Sequence, residues 1–307
     1  MNSKRMRLNA SDGTKLPWRK LLYVKQDYPD NYVDDTFLDA LQKNVNVRSY
    51  DYWTTVYESG VIAQHISSIV IFIAVFINLE QQKLATNSLI IAGTLMTSLG
   101  YIFWDYSVVQ TVPSYASKRN KTAKGALFFF ATLLGLSPIL RTLTLKTSDD
   151  TIYALTACLF IVNMLSHDYS AGPRNIIKFP GSLSTNAAIF ASVMLASRLQ
   201  TNMGVFGLTA FAVEWFALFP IFRRHLQNTT QAGHTALSII MLAASVTLFI
   251  HISKAVVFIY ILGITFITFI CPAWLIRIQK YKNEIHGPWD EAQPKLQPSK
   301  EKYYKHR

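Results

Sequence analysis

Long apolar runs separated by short polar segments dominate the chain. A helix needs about 20 mostly apolar residues to cross the hydrocarbon core of a bilayer, and eight segments approach this length. They lie at about Gly60–Leu79, Leu84–Tyr106, Ala123–Leu140, Thr151–Ser166, Ser184–Ala196, Val205–Phe222, His234–His251 and Ala255–Ile276. The alternating polarity typical of transmembrane β-strands is absent. The pattern therefore predicts an all-α, polytopic membrane protein with about eight transmembrane helices.

The fourth and fifth segments are the weakest of the eight, because they are short and rich in Ser, Thr and Asn. If one of them is re-entrant or interfacial, it becomes the better candidate for lining a lipid or partner site. Small residues recur in and just after the fifth segment, at Ala187, Ala191, Ala196 and Ser197. Small side chains let helix backbones approach closely in lipid, so we expect this face to pack against another helix or subunit.

The distribution of Lys and Arg predicts the orientation, because cytosolic loops carry the excess of these residues. With the N-terminus in the cytosol, 25 of the 30 Lys and Arg residues fall on the cytosolic side and five on the other. Removing one helix would move the basic C-terminal tail across the membrane. We therefore predict that both termini are cytosolic, with a cytosolic segment 1–59, a helical bundle 60–276 and a basic tail 277–307.

Composition narrows the functional classes. Only 16% of residues are charged, against about 25% in soluble proteins. The net charge of +12 is concentrated in the tails and one loop rather than on a basic face, which favours anionic lipid over nucleic acid as the partner. Cys158 and Cys271 are far apart and match no metal-binding spacing. We expect no metal site and no cofactor.

Polar residues inside the predicted spans are candidates for function because burying them in lipid is costly. Glu214 lies in the middle of the sixth span, His65 in the first and Asp105 late in the second. Asn186 is a further polar candidate, in the fifth. The alternative interpretation of each is a structural hydrogen bond to a neighbouring helix, and we favour it.

Catalytic machinery is not evident in the sequence. The chain has no glycine-rich phosphate loop, and the terminal segments of about 59 and 31 residues are short for an α/β nucleotide-binding domain. The predicted luminal loops carry few carboxylates, and no internal repeat of the transporter type is apparent. These features favour a membrane subunit or lipid-handling protein. An autonomous lipid transporter or scramblase, or a membrane-embedded lipid glycosyltransferase, stays an alternative.

Two predicted cytosolic stretches are rich in aromatic, proline and acidic residues: PWRKLLYVKQDYPDNYVDDTFL at 17–38 and IHGPWDEA at 285–292. Together with SPILRTLT, DTIYAL and STNAAIFASVMLASRL, they resemble the PIG-C family of phosphatidylinositol N-acetylglucosaminyltransferase subunits. The resemblance runs from about residue 17 to 292. It implies a non-catalytic membrane subunit of the endoplasmic reticulum complex that begins GPI-anchor biosynthesis. That complex transfers GlcNAc from UDP-GlcNAc to phosphatidylinositol on the cytosolic face, and its catalytic subunit is a separate chain of the PIG-A type.

Within this resemblance, the bundle would scaffold the catalytic subunit or present the lipid acceptor, while the two distinctive stretches dock partners. Aromatic side chains suit such contacts with protein or lipid headgroups. The candidates for contact with a partner or headgroup are Trp18, Tyr23, Tyr28, Tyr32, Trp289 and Asp290. An aromatic belt at the membrane interface, without docking, is the alternative.

The predicted orientation can be tested through three glycosylation sequons, which begin at Asn9, Asn120 and Asn228. All three fall on the cytosolic side, where no glycan is added, so we expect the native protein to show no mobility shift after glycosidase treatment. A glycan at Asn120 or Asn228 would contradict the orientation.

Overall fold

The computed structural model describes residues 50–109, 119–144, 146–169 and 182–281, together with residues 18, 25–26, 28–29, 31–32, 39, 42–43 and 285–286. The chain divides into two compact units. One is the helical unit, Tyr50–Ile276, and the other combines the two end segments, Met1–Ser49 and Arg277–Arg307.

Ten α-helices and two π-helical turns form eight helical rods in the described part of the chain. The first five rods are α1 (Tyr52–Glu80), α2 (Thr86–Val109), α3 (Arg119–Thr142), α4 (Asp149–Ser166) and α5 (Ser182–Ala196). The sixth combines α6 (Asn202–Val213), the turn π1 (Glu214–Leu218) and α7 (Phe219–Thr229). The seventh is α8 (Gln231–Ile250), and the eighth combines α9 (Lys254–Thr265), π2 (Phe266–Ile270) and α10 (Cys271–Gln279).

These rods confirm the prediction of an all-α, polytopic membrane protein. Six of the rods are long and apolar enough to cross a membrane. The two exceptions are α4 and α5, with 18 and 15 residues, which were also the weakest segments in the sequence. At about 1.5 Å per residue, α5 is shorter than a hydrocarbon core of about 30 Å. Because α4 and α5 are consecutive, the orientation of every other rod is unchanged whether or not this pair crosses completely.

A short antiparallel ladder joins the two end segments of the chain. Strand β1 (Gln42–Lys43) pairs with β2 (Ile285–His286), with Gln42 opposite His286. Strands hydrogen-bonded to each other must lie on the same side of a membrane. The ladder therefore requires an even number of crossings between residues 43 and 285, which agrees with the prediction from the charge count.

The core of the helical unit forms around Phe72, a fully buried residue of α1. Its ring stacks on Phe211 of α6 with centroids 6.0 Å apart, and it meets Phe216 of π1 at 5.1 Å and Phe160 of α4 at 6.1 Å. The first, fourth and sixth rods thus meet at one aromatic cluster. On its other side α1 packs against α8, where Ala74 and Phe249 share a second apolar cluster.

Small residues allow α5 to pack closely, as the sequence predicted. Ala187, Ala191 and Ala196 are all buried, and α5 packs mainly against α4 and α6. Asn163 near the end of α4 donates from Nδ2 to the carbonyl oxygen of Ser184 at 2.8 Å, which fixes the start of α5 beside it. A buried hydrogen bond therefore stabilises the close packing of α4 and α5.

The first helix begins earlier than the apolar run, which starts at Gly60. Asp51 caps α1 by accepting a hydrogen bond from the backbone N–H of Thr54 at 3.0 Å. This bond, with a second from the Thr54 hydroxyl, holds the pKa of Asp51 below its usual value. The polar first turns of α1 thus extend beyond the apolar segment, and hydropathy alone could not place the cap.

The packing of α5 predicts the effect of enlarging its buried face. Replacing the fully buried Ala188 with Leu should lower the free energy of unfolding by about 1–3 kcal/mol, because the added methyl groups have no space. Unfolding by denaturing detergent in mixed micelles measures this difference. The exposed Phe190 on the same helix provides the control, since Phe190→Leu should change stability by less than about 0.5 kcal/mol. Equal losses for the two variants would contradict the packing.

Candidate functional site

Glu214 begins the turn π1 and is only 8% exposed. Its carboxylate lies against Gly93 of α2, so closely that a Cβ atom at Gly93 would overlap Oε2. Glycine at this position therefore makes room for the Glu214 side chain. The carboxyl group faces α2 and serves to pack the sixth rod against the second.

His65 of α1 is also buried but faces a different part of the bundle. Its ring stacks on His167, just beyond α4, with centroids 4.0 Å apart and planes 13° from parallel. Tyr169 packs edge-on against both rings, at 5.7 Å from His65 and 5.0 Å from His167. The structure therefore does not unite His65 with Glu214 in one site.

Asn186 and Asp105 are the remaining polar candidates in the spans. Asn186 is exposed on α5. Asp105 lies within α2, but its side chain is outside the described residues.

The predicted partner-contact residues are described only in part. Three of them form an aromatic cluster in the unit made of the end segments: Tyr32 lies 4.4 Å from Tyr28 and 6.1 Å from Trp18, measured between ring centroids. Tyr23, Trp289 and Asp290 lie outside the described residues. A compact group of aromatic rings suits a contact surface, and its assignment to partners stays a prediction.

Arg223 is the functional candidate that sequence reasoning missed. The sequence assigned it to a cytosolic loop after a helix ending at Phe222, whereas α7 continues to Thr229 and Arg223 is only 6% exposed. Its guanidinium carbon lies 5.3 Å from the centroid of the Phe219 ring, within range of a cation–π interaction. Phe219 stacks in turn on Trp215, with centroids 4.6 Å apart.

We group five polar side chains from four parts of the fold, Arg223 among them, as the Arg223 cluster. They are His65 on α1, His167 and Tyr169 after α4, Arg223 on α7 and His234 on α8. The charge of Arg223 interacts electrostatically with His65, Tyr169 and His234. The cluster lies at the end of the bundle that the charge count assigns to the cytosol.

Hydrogen bonding within the Arg223 cluster is incomplete. In the described part of the chain, Nε and Nη1 of Arg223 have no hydrogen-bond partner, and neither ring nitrogen of His234 has one. Tyr169 is satisfied, because its hydroxyl donates to the carbonyl oxygen of Met164 at 2.7 Å. Burial raises the pKa of Tyr169 to about 12, while the Arg223 charge acts in the opposite direction, so the phenol stays neutral at physiological pH.

Arg198, at the opposite end of the bundle, provides a comparison, because both of its terminal guanidinium nitrogens donate hydrogen bonds. Its Nη1 donates to Asp149 at 2.7 Å, and its Nη2 donates to the carbonyl oxygens of Thr144 at 2.8 Å and Thr147 at 2.9 Å. These bonds tie the turn before α4 to the end of α5. Arg223 has no such set of acceptors among the described residues.

The Arg223 cluster is electropositive and rich in hydrogen-bond donors. A guanidinium group only donates hydrogen bonds, and no carboxylate among the described residues forms a salt bridge with Arg223. Within the described residues, no group of three or more His, Cys, Asp or Glu is placed to hold a metal ion. The amphipathic pattern of FPIFRRHLQN was the signal that could have indicated a helix through Arg223.

The contact between Gly93 and Glu214 predicts that their substitutions are coupled. Gly93→Ala should displace the Glu214 carboxylate and destabilise the bundle, whereas the same change in a Glu214→Ala background should cost nothing. We expect a coupling free energy of about 0.5–3 kcal/mol in a double-mutant cycle measured by detergent unfolding.

The control for this cycle is Gly135→Ala on α3, where nothing lies within 4 Å of the added Cβ. That change should be neutral or slightly stabilising, because Ala favours helix over Gly by about 1 kcal/mol. Additive effects of the Gly93 and Glu214 substitutions would contradict the contact.

Comparison with known proteins places this fold in a family. Residues 18–290 match the family model described as GPI2, phosphatidylinositol N-acetylglucosaminyltransferase. The chain is 41% identical over 293 residues to the GPI2 subunit of that transferase from Schizosaccharomyces pombe, which covers 93% of this chain and 89% of the relative. No solved structure matches the chain significantly.

Two further relatives are named as C-type subunits of phosphatidylinositol N-acetylglucosaminyltransferase. The putative one from Dictyostelium discoideum is 44% identical over 275 residues, covering 90% of this chain and 79% of the relative. The human one is 36% identical over 282 residues, covering 92% and 94% of the two chains. The resemblance found in the sequence is thus confirmed, and the chain belongs to the GPI2 (PIG-C) family of phosphatidylinositol N-acetylglucosaminyltransferase.

Proposed function

We propose that this chain is the membrane subunit of a complex that transfers GlcNAc from UDP-GlcNAc to phosphatidylinositol, the first step of GPI-anchor biosynthesis, in the endoplasmic reticulum membrane. The observation that carries the proposal is the family match over residues 18–290, together with relatives that align along nearly their whole length. The helical unit, with six rods suited to crossing a membrane, supplies the membrane setting that a lipid acceptor requires.

Within that complex the chain has a supporting role and the transfer chemistry belongs to a separate catalytic subunit of the PIG-A type. The 307 residues contain no glycine-rich phosphate loop. A bundle of this kind can hold the catalytic subunit at the membrane surface and present the lipid acceptor beside it. Bringing the two reactants together in a fixed orientation is itself a large contribution to the rate of a bimolecular reaction.

The aromatic cluster in the end segments supports the docking part of this proposal. Trp18, Tyr28 and Tyr32 lie close together, and tryptophan and tyrosine are enriched among the residues that dominate protein interfaces. The segment 285–292 contributes a second tryptophan, Trp289, on the same side of the membrane in the predicted orientation. Both segments would then face the subunit that binds UDP-GlcNAc.

The docking role can be tested by a double variant in which Trp18 and Trp289 are both replaced by Ala. We expect the amount of catalytic subunit that co-purifies with the tagged chain to fall by about tenfold or more, since each anchor of this type contributes about 2 kcal/mol. Trp274, exposed on α10 within a span, is the matched control, and Trp274→Ala should leave co-purification unchanged. Full retention of the partner by the double variant would favour the interpretation of these aromatics as a membrane-interface belt.

The supporting role makes a separate prediction for the isolated chain. Purified protein in liposomes with UDP-GlcNAc and phosphatidylinositol should form no product until the catalytic subunit is added, as measured by transfer of labelled GlcNAc to lipid. Product from the chain alone would contradict the assignment and favour a membrane-embedded glycosyltransferase.

A further inference from the structure

The Arg223 cluster contains two buried side chains, Arg223 and His234, whose nitrogens lack hydrogen-bond partners among the described residues. Arg223 is 6% exposed and His234 is 2% exposed, and the unpartnered nitrogens of both are buried. A fixed positive charge removed from water is strongly unfavourable unless an acceptor or an anion accompanies it. At the other end of the bundle both terminal nitrogens of Arg198 are hydrogen-bonded, and only its Nε lacks a partner among the described residues.

The geometry of Arg223 and His234 indicates which kind of ligand would accept their hydrogen bonds. The Arg223 guanidinium offers a planar fork of N–H groups, which matches two oxygens of one phosphate better than a single acceptor atom. His234, on the adjacent helix α8, carries further buried ring nitrogens without a partner among the described residues. Aromatic rings lie against both side chains: Phe219 lies under the guanidinium group, and Tyr57 packs edge-on against His234 with centroids 5.0 Å apart. The surroundings of the guanidinium group thus combine unpartnered hydrogen-bond donors with aromatic rings.

The position of the cluster selects a lipid as the source of the phosphate. Its residues come from α1, the segment after α4, α7 and the start of α8, towards the end of the bundle predicted to be cytosolic, and α8 packs against both α1 and α7. Phospholipid headgroups are the phosphates present at this depth in every membrane. We propose that the Arg223 cluster binds the phosphodiester of a phospholipid whose head alcohol carries no positive charge.

The charge of the cluster explains this restriction on the head alcohol. Choline or ethanolamine would place a second cation beside Arg223, and like charges in a site shielded from water repel strongly. Inositol is a neutral polyol, so a phosphatidylinositol headgroup brings one negative charge and hydroxyl groups that can bond to His234. The inference rests on the proposed function, because it names the place where the lipid acceptor would be held.

The test uses the full chain, purified in mild detergent and stripped of lipid, with the midpoint of thermal unfolding as the readout. A ligand that binds the folded state raises this midpoint as its concentration exceeds the dissociation constant. Added phosphatidylinositol should raise it, whereas phosphatidylcholine should have little effect. In the Arg223→Gln variant the apparent affinity for phosphatidylinositol should fall by at least about tenfold, because the charged donor is lost.

Three further measurements test whether the loss of affinity in Arg223→Gln comes from a change in structure rather than from the lost contact with lipid. Without lipid, Arg223→Gln should unfold at the same temperature as the unmodified chain or higher, since it removes an unpaired buried charge. Arg223→Lys should show an intermediate loss, because it keeps the charge but not the planar fork. The exposed neighbour Arg224 is the matched control, and Arg224→Gln should change the affinity by less than about threefold.

Two further probes, inorganic phosphate and UDP-GlcNAc, separate the possible sources of the phosphate group. The proposal expects neither to match the shift given by phosphatidylinositol. It is overturned if either one gives an Arg223-dependent shift while phosphatidylinositol gives none, if phosphatidylcholine is as effective as phosphatidylinositol, or if Arg223→Gln leaves the lipid response intact. Loss of the catalytic subunit in Arg223→Gln with an unchanged lipid response would assign the cluster to a protein contact instead.

The same data distinguish failure of the site from failure of the proposed function. If the catalytic partner co-purifies with the chain but phosphatidylinositol gives no shift, the proposed complex stands and the Arg223 site is wrong. If the lipid shift depends on Arg223 but no catalytic partner ever co-purifies, the site stands and the assignment to the complex is wrong.

Discussion

Polar groups that a membrane helix carries away from water must find partners inside the bundle, and this constraint organises the packing of α1. Three residues on adjacent turns of α1 contact three different elements in this way. Gln64 donates to Ser238 of α8 at 2.7 Å, and the hydroxyl of Ser67 lies 2.6 Å from that of Tyr260 on α9. The carbonyl oxygen of Ser68 accepts from the indole of the tryptophan in π1 at 2.8 Å. The rods around α1 are therefore fixed by hydrogen bonds as well as by apolar packing.

The same constraint separates the roles of the two ends of the bundle. At one end Arg198 donates to Asp149 and to backbone carbonyl groups, so its charge holds the turn before α4 against the end of α5. At the other end Arg223 is buried beside aromatic rings without an equivalent set of acceptors in the described residues. A fold that leaves one arginine unsatisfied loses stability, and such losses are tolerated where binding a ligand recovers them.

The fold was largely predictable because the dominant signal, apolar length, is local in sequence. All eight helical rods lie where hydropathy predicted them, and the weak fourth and fifth segments are the two shortest. The polar candidates were harder, because a residue type does not reveal what its side chain faces. Glu214 and His65 are buried as expected but belong to different contacts, and Asn186 is exposed. Arg223 was missed because a basic residue after an apolar run ordinarily marks the membrane surface.

The turn π1 accounts for the burial of Arg223 and explains why its register could not be predicted. Phe211, Trp215, Phe219 and Arg223 are spaced four residues apart. In a continuous α-helix of 3.6 residues per turn, three such steps would rotate the last side chain by about 120° from the first. The turn at Glu214–Leu218 has wider i→i+5 bonding, which takes back part of that rotation. The guanidinium group therefore continues the stacked aromatic series on the buried face, and the site arises from an irregularity in the helix that hydropathy does not encode.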